Sequence, residues 1–160
     1  MLRIVFITAI LICYLFFGRP EFLYEGGWEA ALAYPLFHGN IFHLAANSIA
    51  IWFVYRCPCK PCRDLVIPYI ISIAVYPLSG RALLGVSNMI YAAIGLRTPA
   101  FSSPWWRKTP VIVFLAVTLL MLFIPSLAGV THIVSFSAGV LLAAAHRFWL
   151  YLTRDARRYL

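Results

Sequence analysis

HGNIFHLAAN, His38 to Asn47, sets two imidazoles and an amide at the mouth of an apolar run that continues to Tyr55. Desolvation makes such groups costly beside apolar neighbours, so what surrounds them decides what they are for. The 160-residue chain is 63% hydrophobic and 11% charged, with a mean hydropathy of +0.88. A soluble domain of this size cannot hide that much apolar surface. The composition therefore implies an integral membrane protein, built as one domain over residues 1–160.

Six apolar stretches lie between polar punctuation: Leu2–Phe17, Ile41–Tyr55, Leu65–Leu78, Leu84–Leu96, Val111–Ile124 and Thr131–Leu152. The expectation is an all-α membrane protein, a bundle of six transmembrane helices. Several stretches fall short of the roughly 20 residues of a full crossing. These extend into flanking residues or start inside the membrane. The first stretch resembles a signal peptide, with Arg3 ahead of an apolar segment. It ends in Tyr14, Leu15, Phe16 and Phe17, bulky where cleavage wants small residues, and reads as a retained helix.

The formal charge of +8 is distributed by topology. With the N-terminus inside, inner segments hold Arg3, Arg56, Lys60, Arg63, Arg97, Arg107, Lys108, Arg147, Arg154, Arg157 and Arg158, eleven of the thirteen basic residues. Outer segments hold only Arg19 and Arg81, beside Glu21, Glu25 and Glu29. This is the positive-inside pattern, with both termini cytoplasmic, and it requires no nucleic-acid partner.

Depth follows from counting back from Arg56, Arg97 and Arg147 at about 1.5 Å per residue. His43, Asn47, Ser87 and His132 then sit between the middle and the outer part of a hydrocarbon core about 30 Å thick. Polar groups at such depth face a protein interior or a wet cavity. His43 and Asn47 share a helix face, as do Ser87, Tyr91 and Gly95, and His132, Ser135 and Gly139. Small residues let the fourth and sixth stretches approach, which brings Ser87 within reach of His132. A serine beside a histidine is the minimal activated nucleophile. His43, Asn47 and the Ser87 backbone N–H are candidate donors to a developing oxyanion, and Gly85 allows a tight bend ahead of Ser87.

These residues resemble the rhomboid intramembrane serine proteases over nearly the whole chain. HGNIFHLAAN is similar to the family's H-x4-H-x3-N motif, GVSNMIYAAIG (85–95) to its G-x-S-G-x-x-Y segment, and THIVSFSAG (131–139) to its A-H-x-x-G-x-x-x-G segment. The resemblance implies Ser87 as nucleophile, His132 as base and Tyr91 packed on the His132 ring. It also implies oxyanion roles for His43 and Asn47, and support from His38. Three departures stand out: Asn88 for the usual glycine, Thr131 for alanine and Ser135 for glycine. The last two are expected to loosen the contact between the fourth and sixth helices. Trp28-Glu29 replaces the Trp-Arg of many members in a short first outer loop, Gly18 to Pro35.

Singly, these residues have plainer readings: a membrane serine packs or back-bonds, Tyr91 packs, and the glycines permit close approach. His146, next to Arg147, reads as interfacial. CPCKPC (57–62) reads as a tight turn with free thiols; zinc wants a fourth ligand that is not evident, and acylation is the other option. Cys13 reads as a small apolar filler. The expected activity is endopeptidase cleavage of transmembrane substrates through a Ser87–His132 dyad, without cofactor or metal, in a bacterial plasma membrane. Span five and the loop Pro125–Val130 would admit substrate from the lipid. A catalytically inactive rhomboid-like protein that binds membrane clients is one alternative. A proton or solute carrier using His43, Asn47 and His132 is another.

Overall fold

The computed structural model describes residues 2–55, 62–79, 83–97, 116 and 127–156. Among these residues it is all-helical. The α-helices are α1 (Leu2–Phe17), α2 (Phe22–Glu25), α3 (Gly27–Ala33), α4 (Ile41–Val54), α5 (Ile67–Val75), α6 (Ser87–Arg97) and α7 (Leu127–Ala156). Short 3₁₀ turns, Tyr34–Leu36 and Tyr76–Ser79, follow α3 and α5, and one π-helical turn, Cys62–Val66, leads into α5.

Helix α6 is the centre. Its segment NMIYAAIG carries no polar stripe, and every residue from Asn88 to Gly95 is buried. Helices α4, α5 and α7 pack on it, and α1 packs on α4. The main core joins Ile10, Leu44, Ile51, Val54, Val86, Ile90 and Ile94. Helix α4 starts where Asn40 accepts the His43 backbone N–H at 2.8 Å, a side-chain cap ahead of an apolar run. The segment between α1 and α4 is not bare loop. It folds as α2 and α3 over a second core of Leu23, Ala30, Tyr34, Phe37 and Tyr76.

The expected six-span bundle is overturned. Among the described residues one helix is long and apolar enough to cross a membrane, the 25 residues Gly129–Thr153 within α7. Helices α1 and α4 are apolar but have 16 and 14 residues, about 24 and 21 Å against a core of about 30 Å. Helices α5 and α6 are shorter still, 9 and 11 residues. Apolar runs overstated helix length because Pro77 and Gly85 divide them and 3₁₀ and π turns consume their ends. Of the stretch Val111–Ile124 only Ala116 is among the described residues; Cys57 and Cys59 lie outside them, as do Pro125 and Ser126, while Leu127–Val130 of the expected loop form the first turn of α7.

Arg97, expected at the inner interface, is buried within the protein, its Nη2 3.1 Å from the buried Asp64 carboxylate. Its Nη1 donates to the Val54 carbonyl, and its guanidinium lies 5.6 Å over the Tyr55 ring. A buried charge needs such partners, and this one ties the C-terminal ends of α4 and α6 to the π turn.

Helices α6 and α7 run parallel in close contact. A Cβ on Gly95 would land on the Phe136 carbonyl, and one on Gly139 would land on the Ala92 carbonyl and lie 2.8 Å from Leu96 N. The expected loosening from Ser135 does not occur: Ser135 is fully buried and the backbones still touch. Gly95→Ala and Gly139→Ala are therefore expected to cost about 1–3 kcal/mol each by overpacking. The Ser135 hydroxyl has no partner among the described residues, so Ser135→Ala is expected to be neutral or mildly stabilising. Thermal denaturation in detergent checks both; a glycine variant as stable as wild type would contradict the packing.

Candidate active site

The turn into α6 is made by Gly85, whose φ of +94° suits glycine. Space demands glycine there as well. A Cβ would sit 2.6 Å from His43 Cε1, 2.7 Å from His43 Nε2 and 2.9 Å from Asn47 Nδ2. The chain thus brings the α4 donors against the backbone two residues ahead of Ser87. The Gly85 N–H is itself held, donating to the Tyr34 carbonyl at 3.1 Å.

Ser87 opens α6, where first-turn amides lack helical partners and the helix dipole favours negative charge. Its hydroxyl lies 2.8 Å from His132 Nε2. The Tyr91 ring stacks on the imidazole, centroids 4.4 Å apart at 24°. His132 Nδ1 is buried with no partner among the described residues. The bond to Ser87 fits the tautomer in which Nε2 accepts from the hydroxyl and Nδ1 carries the proton.

Asn47 is buried, and its Nδ2 donates to His38 Nε2 at 3.0 Å. One amide proton is spent on that bond; no bond from the second is described, and it can serve an anion. His38, fully buried, stands edge-on to His43 at 5.2 Å. Burial, and then the neighbouring His43, lower the His38 pKa to about 4, against a weaker opposing effect from the Leu36 backbone. The ring is neutral at ordinary pH, as accepting from Asn47 requires.

The sequence candidates thus converge. Ser87, His132 and Tyr91 form one contact group, while His43, Asn47 and His38 form a second beside Gly85. Sequence reasoning missed Tyr34 and Ser72. Asn88 Nδ2 donates to Tyr34 Oη at 3.2 Å, and Tyr34 Oη donates to the Ser72 carbonyl at 3.0 Å. No spacing pattern signals contacts across 54 and 38 residues. Among the described residues, no group of three His, Cys, Asp or Glu side chains could hold a metal. Neither protein-family models nor curated proteins gave a match to this chain.

Gly85→Ala is expected to destabilise by about 1–3 kcal/mol through backbone strain alone, with the overlap against His43 and Asn47 added. An unchanged thermal midpoint would refute the described turn. His38 gives a pH test. Unfolded, it takes a proton near the ordinary 6.5; folded, only near about 4. Its contribution is complete above pH 6.5 and fades as pH falls toward 4. The stability difference between wild type and His38→Gln should shrink across that window, whereas a constant difference would exclude a buried neutral His38.

Proposed function

We propose that this chain is a membrane-bound serine endopeptidase of rhomboid type, cleaving peptide bonds in or beside transmembrane segments of other membrane proteins. The observation that carries the reading is the 2.8 Å contact between Ser87 Oγ and His132 Nε2, with the imidazole stacked on Tyr91. In this reading Ser87 Oγ adds to the substrate carbonyl carbon while His132 Nε2 takes the hydroxyl proton. The oxyanion meets the second amide proton of Asn47, His43 and the Ser87 N–H. Collapse breaks the C–N bond, His132 returns the proton to the leaving amine, and the acyl group stays on Ser87. Water then attacks the ester with His132 again as base, releasing the acid and restoring the hydroxyl.

Residence in a lipid bilayer, expected to be a bacterial plasma membrane, is supported by the surface. Large apolar side chains stand outward on α1, α4 and α7, among them Phe16 (77% exposed), Phe42 (83%) and Leu141 (69%). Water would not tolerate so many together.

The test is labelling by a fluorophosphonate in detergent, in which Ser87 Oγ displaces fluoride from phosphorus. Wild type should label, and Ser87→Ala should not label at all. His132→Ala should slow labelling by at least about a thousandfold. Folded wild type that stays inert would end the protease reading. Labelling that survives Ser87→Ala would place the nucleophile elsewhere.

A further inference from the structure

Asn88 follows the proposed nucleophile and is 2% exposed in the first turn of α6. A primary amide in such a place is costly unless it is bonded, and its one described bond runs to a single distant residue. The hydroxyl of Tyr34 has one proton, spent on the Ser72 carbonyl at 3.0 Å. Its oxygen can therefore only accept from Asn88, which fixes the amide with Nδ2 toward Tyr34 at 3.2 Å. The backbone of the same Tyr34 accepts the Gly85 N–H at 3.1 Å. One residue thus holds the chain on both sides of Ser87, two positions before it and one after. The anchor is itself immobile. Tyr34 is fully buried, its ring lies 5.2 Å from that of Tyr76, and the Ser72 hydroxyl closes onto the Tyr69 carbonyl at 2.8 Å.

We propose that Asn88 and Tyr34 are a positioning pair for the nucleophile: the chain from Asn88 through Tyr34 to Ser72 fixes the first turn of α6 so that the Ser87 hydroxyl points at His132. The inference rests on the reading of Ser87 as nucleophile. Neither residue touches the reacting atoms. They act by holding the turn, while α7 holds the imidazole on the other side.

The two attachments to Tyr34 can be separated. Tyr34→Phe leaves the carbonyl bond to Gly85 and the ring contacts, and removes only the hydroxyl link. Asn88→Leu keeps the branched side-chain skeleton and removes the amide. The experiment measures fluorophosphonate labelling of the full chain in detergent, resolving the maximal rate, the probe concentration for half-maximal rate and the final extent. Misplacing a reacting group by about 1 Å costs on the order of a hundredfold. Each single variant is therefore expected to lose roughly ten- to a hundredfold in maximal rate, with the half-maximal concentration unchanged and labelling reaching full extent. The double variant should be no slower than the slower single, because both break one chain. A merely structural role would instead lower the final extent, since unfolded molecules do not label. Should Asn88→Leu fail to fold, Asn88→Ala takes its place in the cycle. Wild-type maximal rates in the single variants, or losses that multiply in the double, would overturn the pair. Inert wild type would overturn the nucleophile itself, and the pair with it; wild type that labels while Ser87→Ala does not keeps that reading apart from this one.

Discussion

The site depends on how closely α6 and α7 approach. Two glycines, Gly95 and Gly139, let each backbone rest on the other's carbonyls, with no side chain between them. Because the helices run parallel, the contact is carried in register along both. Gly95 meets Phe136 and Val140, Gly139 meets Ala92 and Leu96, and one end of the pair delivers Ser87 to His132 at 2.8 Å. Interior packing is dense and deforms little, so a spacing set at the glycines is transmitted two turns away to the hydroxyl and the imidazole. A larger residue at either glycine would part the helices, and the parting would lengthen the Ser87–His132 contact as well.

Helix α6 is pinned at both ends by different chemistry. At its C-terminal end Arg97 meets Asp64, the Val54 carbonyl and the Tyr55 ring. At its N-terminal end neutral hydrogen bonds to Tyr34 hold Gly85 and Asn88. The division makes physical sense. A buried ion pair is strongly destabilised when one partner is lost, which suits an end that only has to stay fixed. On the proposed reading of Ser87 as nucleophile, a fixed charge beside its hydroxyl would impose its own field on the developing oxyanion, and neutral groups avoid that.

Much of the site was legible in the sequence because it obeys helical periodicity. Ser87, Tyr91 and Gly95 recur every four residues and all meet α7; His132, Ser135 and Gly139 recur at three and four and face α6. His43 and Asn47 share a face of α4 in the same way. The span count was not legible, since hydrophobicity marks where chain is buried or lipid-facing without fixing how long it stays helical. Leu65–Leu78 is one apolar run but resolves into the end of a π turn, a nine-residue helix and a 3₁₀ turn. The burial of Arg97 was hidden for a related reason. A cation at the end of an apolar run reads as interfacial, and its partner Asp64 lies 33 residues earlier, beyond any local pattern. Tyr34, Ser72 and the bond from Asn88 to Tyr34 were hidden likewise, because a hydrogen bond between distant residues leaves no periodic trace.

The manner of orienting His132 follows from the same surroundings. In a serine–histidine–aspartate arrangement a carboxylate holds the second ring nitrogen. Here His132 Nδ1 has no partner among the described residues, and the buried carboxylate of Asp64 is engaged with Arg63 and Arg97 at the far end of α6. A carboxylate set beside His132 would have to be desolvated without a resident cation, at a cost of several kcal/mol. Stacking against Tyr91 fixes the plane of the imidazole with an uncharged, apolar surface, at 4.4 Å between centroids. The hydrogen bond to Ser87 then fixes its rotation within that plane. Orientation by a ring is what an apolar interior permits, and the spacing of Ser87 to Tyr91 along one helix face places that ring on the imidazole.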